Sequence, residues 1–124
     1  FVDEANNRVG INTVTPHSTL HAEGSVAHEL VTVTASYDLT VGDNQHVKTI
    51  IVNNAAAATI ALPSAVGIAG REYRVKKVSA TGGGRTVAVD PDGTETIDGD
   101  ATFDLVSQYE SITFVSDGAN WFIV

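Results

Sequence analysis

Hydrophobic and polar residues alternate in short runs over most of the chain beyond Glu29. Alternation with a period of two is typical of β-strands that bury one face, and turn residues recur between the runs roughly every eight to twelve positions. The strands predicted in this way cover residues 30–34, 37–41, 47–52, 59–62, 73–78, 87–89, 95–97, 102–105, 111–116 and 121–124. Such spacing predicts an all-β fold, namely an antiparallel β-sandwich or a barrel-like domain.

The last sixteen residues, 109–124, predict a β-hairpin. Residues 111–116 and 121–124 are two apolar or β-branched runs, and Asp117 and Gly118 supply the turn chemistry between them. Trp121 and Phe122 point to opposite faces of the second strand, so both faces of the hairpin are apolar. We therefore expect the hairpin to be central in a sheet, or to be pressed between the core and another subunit.

The strand at residues 73–78 contains a slip in its alternation. Tyr73 and Val75 share one face, but Val78 falls on the other. A β-bulge near Lys76 and Lys77 would bring Val78 back into phase, so the pattern predicts a bulge there.

The first 27 residues have a different hydrophobic pattern, with apolar side chains only at isolated positions among Asn, Gly, Thr and Pro. We interpret residues 1–27 as an extended N-terminal β arm and residues 28–124 as the sandwich-like body. The arm has too few apolar residues to offset the entropy of ordering, about 1–2 kcal/mol per residue. Val9, Ile11 and Leu20 are therefore predicted to be buried between chains.

Composition excludes several classes of protein. The chain has 124 residues, enough for one domain with a core, and it has no Cys for disulfides or thiolate metal sites. Its net charge of −8 argues against nucleic acid as a partner, because phosphate binding needs a basic surface. No apolar stretch approaches the length of a membrane span, so membrane insertion is not expected. Because the chain begins with Phe1, we expect it to be a mature or excised piece of a longer product.

Candidate chemistry is sparse. The Asp residues between 90 and 100 do not fit the EF-hand template, since Glu95 stands at the position that needs Gly and Ala101 replaces the final Glu. His17 and His21 are four apart, but the surrounding Pro, Ser and Thr residues disfavour a helix and no third ligand is near. There is no nucleophile elbow and no phosphate-binding loop. We therefore expect no metal, no cofactor and no catalytic site.

Both ends of the chain resemble a known family. Residues 6–11 (NNRVGI), Thr15-Pro16, residues 18–21 (STLH) and Gly24-Ser25 resemble the "NNRVGIGTTSPSSTLHV.GS" segment of bacteriophage tail fibres and related fibrous adhesins. Asn12 stands where that segment has Gly, and Ala22 where it has Val. Residues 86–99 and 108–121 also resemble modules of phage fibres.

The resemblance implies a homotrimer carried outside the cell or on a virion, with closely packed β segments. The expected function is that of a non-catalytic structural and adhesive fibre subunit, with copies of itself as partner and a cell-surface glycan as a further candidate. Two alternatives remain open, a self-assembling non-viral filament or surface layer and a polysaccharide-degrading fibre enzyme. A discrete trimer in solution would favour the fibre and an open-ended polymer the filament. A soluble monomer that cleaves a polysaccharide would favour the enzyme.

Overall fold

The structure, a computed structural model, describes all residues 1–124 and contains twelve short strands and one 3₁₀ helix. The strands are β1 (Val2–Asp3), β2 (Arg8–Ile11), β3 (Leu20–Ala22), β4 (Leu30–Val33), β5 (Tyr37–Asp38), β6 (Thr49–Val52), β7 (Ala58–Ala61), β8 (Glu72–Lys77), β9 (Val87–Asp90), β10 (Phe103–Leu105), β11 (Ser111–Ser116) and β12 (Trp121–Ile123). The 3₁₀ helix spans Gly42–His46. The prediction of an all-β fold is confirmed, and no helix has the length and hydropathy needed to cross a membrane.

The strands form three sheets. An arm sheet has the order β1-β2-β3, a five-stranded sheet the order β12-β11-β8-β6-β4, and a four-stranded sheet the order β10-β9-β7-β5. All three sheets mix parallel and antiparallel pairs, and none closes on itself. The expectation of an antiparallel fold is therefore wrong in its strand directions, and a closed barrel is excluded.

The parallel pairs arise because the chain alternates between the two larger sheets. From β4 to β9 each strand lies in the sheet opposite to the strand before it, so that β4, β6 and β8 stack in parallel in one sheet and β5, β7 and β9 in the other. Parallel neighbours need a crossover connection, and here a strand of the opposite sheet provides it. Within these two sheets, antiparallel pairs form only where the last strands, β10 to β12, are added.

The core lies between the five-stranded and the four-stranded sheet. Inward side chains of successive strands are in register, for example Ile50 with Val75 in one sheet and Ile60 with Val89 in the other. The cluster contains 16 buried hydrophobic residues, all within the span 39–121. Alternation of buried and exposed residues along these strands accounts for the predicted period of two.

The predicted hairpin is present, with Ser116 opposite Trp121 and Phe114 opposite Ile123. Asp117 Oδ1 accepts hydrogen bonds from the backbone N–H groups of Asn120 (2.7 Å) and Ala119 (2.8 Å). These two donors, Asn120 first, hold the pKa of the Asp117 carboxyl below its ordinary value.

The position of β12 differs from the expectation of a central strand, because β12 is an edge of its sheet. Trp121 is fully buried on the core side, whereas Phe122 on the other side is 41% exposed. The free edge is protected by the segment before it, since Trp121 N–H donates to Thr96 O (2.9 Å) and Asp98 N–H to Trp121 O (3.1 Å). An apolar outer face at Phe122 thus remains uncovered within the chain.

The predicted β-bulge at Lys76 and Lys77 does not form. Instead β8 keeps its alternation, and the side chain that falls on the core side is Lys77, which is fully buried. Its Nζ donates to Ser79 O (2.7 Å), Ser79 Oγ (2.8 Å) and Ala80 O (3.0 Å). Ser79 Oγ in turn donates to Asn54 Oδ1 at 2.6 Å. The alternation is therefore completed by a lysine whose stem packs in the core and whose charge is solvated by oxygen atoms.

We predict that Trp121→Ala destabilises the protein by about 3–5 kcal/mol, through lost burial and the cavity left behind. Phe122→Ala, on the same strand but on the outer face, should cost no more than about 1 kcal/mol. Urea denaturation at low protein concentration measures both. Equal losses for the two variants would show that Trp121 is not the anchor of this edge.

We also predict that Lys77→Ala costs at least about 1.5–3 kcal/mol, because carbonyl oxygens that lose a charged donor are left unpaired. Lys76→Ala, one residue away on the outer face, is the matched control and should cost little. Urea titration measures the free energy of unfolding of both variants, and the two losses are then compared. A Lys77→Ala variant as stable as Lys76→Ala would mean that the buried network contributes nothing to folding.

Candidate functional site

The arm sheet is held together by contacts within residues 1–27. Every hydrogen bond made by these residues ends on another of them, including Arg8 Nη1 to Pro16 O (2.8 Å) and Val9 N to Thr19 O (2.8 Å). Gly10 is buried, and a Cβ there would lie 2.3 Å from Thr13 O, so the turn after β2 requires glycine. No residue of the 16-residue core comes from the arm.

One face of the arm sheet is apolar and exposed. Val2, Val9 and Leu20 lie side by side across its three strands, and Ile11 lies beside Ala22 in the next row of the same face. Val9 is 41% exposed, Ile11 56% and Leu20 63%. We call this surface the apolar arm face, and we treat it as the candidate functional site because nothing in the chain covers it.

The structure thus brings the three residues singled out from the sequence, Val9, Ile11 and Leu20, onto one surface. Their burial between chains stays a prediction. Sequence reasoning missed Val2 and Ala22 as members of this face. Their membership follows from the pairing of β2 with β1 and β3. The sequence held a signal for Ala22 only, which has the same phase as Leu20 in β3; Val2 is the sole apolar residue of β1.

A second feature is a polar surface cleft of about 230 Å³ beside the 3₁₀ helix. His28, His46, Lys48, Arg71 and Glu72 line it together with a glycine. Lys48 Nζ forms the only salt bridge of the chain, with Glu72 at 3.3 Å. In a chain of net charge −8, this convergence of cationic and imidazole groups is a local exception that could hold an anionic group.

Arg71 and Tyr73 connect this cleft to the core. The Arg71 guanidinium lies 5.4 Å from the centre of the Tyr73 ring. Both side chains donate a hydrogen bond to the Gln45 carbonyl oxygen, and the bond from Tyr73 Oη is 2.7 Å long. The Tyr73 ring packs against Trp121, with 5.6 Å between ring centres. Burial raises the pKa of Tyr73, and the nearby charge of Arg71 opposes that shift in part.

Residues considered as metal ligands are used differently. Asp98 Oδ1 accepts the Ile123 N–H at 3.1 Å and so helps to cap the edge of β12. His17 and His21 have ring centres 5.5 Å apart in the arm, without a third ligand beside them. No group of three or more His, Cys, Asp or Glu side chains is arranged to hold an ion. The largest concavity, in the arm around Asn12 and Glu23, has Glu23 as its only acidic or basic side chain.

Comparison with known proteins adds no relative: no protein-family model matches the chain, and no curated protein and no solved structure matches it significantly.

Tyr73 leads to a prediction for alkaline solution. Its folded pKa lies above its unfolded value of about 10, so its contribution to stability is complete below about pH 10 and is lost as the pH rises through the folded pKa. Tyr73→Phe should therefore lose less stability than wild type between about pH 10 and 11. Melting temperatures across this range test the expectation, with Tyr109→Phe as the matched loss of an exposed phenol. Parallel curves for wild type and Tyr73→Phe would contradict it.

Proposed function

We propose that this chain is a non-catalytic structural and adhesive subunit of an extracellular or virion fibre, of the bacteriophage tail-fibre type. It associates with copies of itself, as a homotrimer, through its arm and the surfaces that its sheets leave uncovered. The resemblance of residues 6–25 to the tail-fibre segment supports the type of fibre. The geometry of the arm supports the self-association.

The apolar arm face is the observation that carries the proposal. Burying a Val, Leu or Ile side chain fully is worth about 1.5–3 kcal/mol, and the arm leaves Val9, Ile11 and Leu20 substantially exposed. The arm sheet makes no hydrogen bond to the body, so the body offers it no backbone partner. In a symmetric assembly each copy makes the same contact, so the apolar arm face of every copy is buried in the same way.

The adhesive part of the function rests on the polar cleft. Arg71 is suited to carboxylate or sulfate groups, and imidazoles such as His46 can donate to sugar hydroxyls. A cell-surface glycan with acidic sugars is the ligand that fits these groups. Loops and clefts placed on a rigid β scaffold commonly carry binding residues.

The runner-up is a subunit of a self-assembling non-viral filament or surface layer. One observation supports a filament: β4 and β5 are both edge strands and lie at the same end of the stack of parallel strands. An uncovered edge can pair with another chain and extend an assembly without limit. A closed trimer and an open polymer differ in mass, so light scattering separates the two functions.

We predict that the full chain has the mass of three copies, and that Val9→Ser with Ile11→Ser and Leu20→Ser weakens self-association at least about tenfold. Each substitution removes apolar area from the contact without changing the charge. Deleting residues 1–27 should leave a β-rich body that melts cooperatively but assembles weakly or not at all. Sedimentation velocity and circular dichroism measure both properties.

Val14→Ser with Val26→Ser is the matched control, since both side chains are exposed but lie outside the strands of the arm sheet. These changes should leave association unaltered. A triple-serine variant that assembles as tightly as wild type would show that the arm is a tether and that the body carries the interface.

A further inference from the structure

The outer face of the five-stranded sheet is apolar and basic. Arg74 and Lys76 alternate with the core residues of β8, so both point away from the core. In register beside them lie Thr49 next to Arg74, and Ile51 next to Lys76. Leu30, Val115 and Phe122 add further apolar side chains to the same face. We call this surface the basic face.

The one acidic side chain of the central strand β8 does not cancel this charge. Glu72 is already paired with Lys48, which stands just before β6 at the rim of the face. Arg74 and Lys76 have no carboxylate partner within the chain, because the Lys48–Glu72 pair is its only salt bridge. Arg74 Nε instead donates to Thr113 Oγ1 at 3.1 Å, and Lys76 lies over the ring of Tyr109.

The outer face of the four-stranded sheet has the opposite character. Asp38, Asp90 and Asp104 are exposed there, and small residues separate them: Ala61 stands between Asp38 and Asp90, and Ala88 lies beside Asp104. Strands β5, β7, β9 and β10 contain no Lys, Arg or His. We call this surface the acidic face.

Small side chains make the acidic face shallow, whereas the basic face projects long cationic and bulky apolar groups. On the acidic face, Asp38 and Asp90 are two strand spacings apart, about 10 Å. The Asp38 carboxylate accepts from Thr40 N (2.8 Å) and Thr40 Oγ1 (2.6 Å), and these donors lower its pKa, so it is charged throughout the neutral range. The two faces are complementary in charge and in relief.

We propose that the basic face of one copy docks on the acidic face of the next, in a head-to-tail interface between copies of this chain. The inference rests on the self-association in the proposed function and names a second surface for it besides the apolar arm face. A contact between two different faces closes into a ring when the rotation per copy allows it and otherwise extends as a filament. Opposite charge selects which face meets which, and the apolar residues of the basic face are buried once the faces meet.

Charge reversal tests the pairing. A basic-face variant carries Arg74→Glu and Lys76→Glu, an acidic-face variant carries Asp90→Lys and Asp104→Lys, and a swapped variant carries all four. Each single-face variant places like charges against each other and should associate at least about tenfold more weakly than wild type. The swapped variant should associate with itself to within about threefold of wild type, yet fail to co-assemble with wild type.

Sedimentation velocity of the full chain at low and high salt measures these affinities, and thermal melts confirm that every variant folds. Asp43→Lys with Asp100→Lys is the matched control, because it changes the net charge as the acidic-face variant does but lies outside the strands of both faces. The control should keep wild-type association. Wild-type affinity should fall as salt rises, since exposed charge pairs are screened.

The outcomes separate this inference from the proposed function. Unchanged association in both single-face variants, together with loss in the arm variants, would overturn the docking of the two faces and leave the fibre proposal standing. Weakening by the basic-face variant alone, with no recovery in the swapped variant, would assign that face to another anionic partner and also overturn the inference. A wild-type chain that is monomeric at every concentration would overturn both.

Discussion

In-register stacking of inward side chains from successive passes of the chain is the constraint on which the body depends. Ile50 lies beside Val75 in one sheet, and Ile60 beside Val89 in the other, so each pass buries the apolar row of the one before it. A slip of one residue would turn a whole strand inside out. The stack therefore determines which residues reach the core and, equally, which ones are left on the two outer faces.

The same register explains the buried lysine. The inward row of β6 continues from Ile50 through Val52 to Asn54, and the row of β8 continues from Val75 through Lys77 to Ser79. The stack thus changes from apolar to polar at this end. Lys77 is tolerated because its amine reaches oxygen atoms at the polar end, while its methylene groups lie beside the apolar part.

The surfaces of the molecule are as informative as its core. The inward side chains of the body are buried within the chain. In contrast, the arm sheet has an uncovered apolar face, and the two large sheets have outer faces of opposite charge. An exposed apolar face is unfavourable in an isolated chain, and in the proposed assembly a further copy would cover each of these surfaces. We therefore base the proposal of self-association on these three surfaces together.

The sequence alone determined the local elements. Alternation located the four strands whose inward rows are in register, β6 with β8 and β7 with β9, within a few residues, and Asp117 with Gly118 defined the closing turn. It also showed that the arm could not build a core, and it singled out Val9, Ile11 and Leu20. These properties follow from residues that are close in sequence, so periodicity and turn chemistry are sufficient to predict them.

Tertiary structure decided the rest. Alternation is the same for parallel and antiparallel neighbours, so strand direction depended on the path of the chain between the two sheets. The edge position of β12, the inward direction of Lys77 in place of a bulge, and the meeting of Val2 with Val9 and Leu20 all depend on register between distant segments. Register is set by how whole rows pack against one another, which no single stretch of sequence contains.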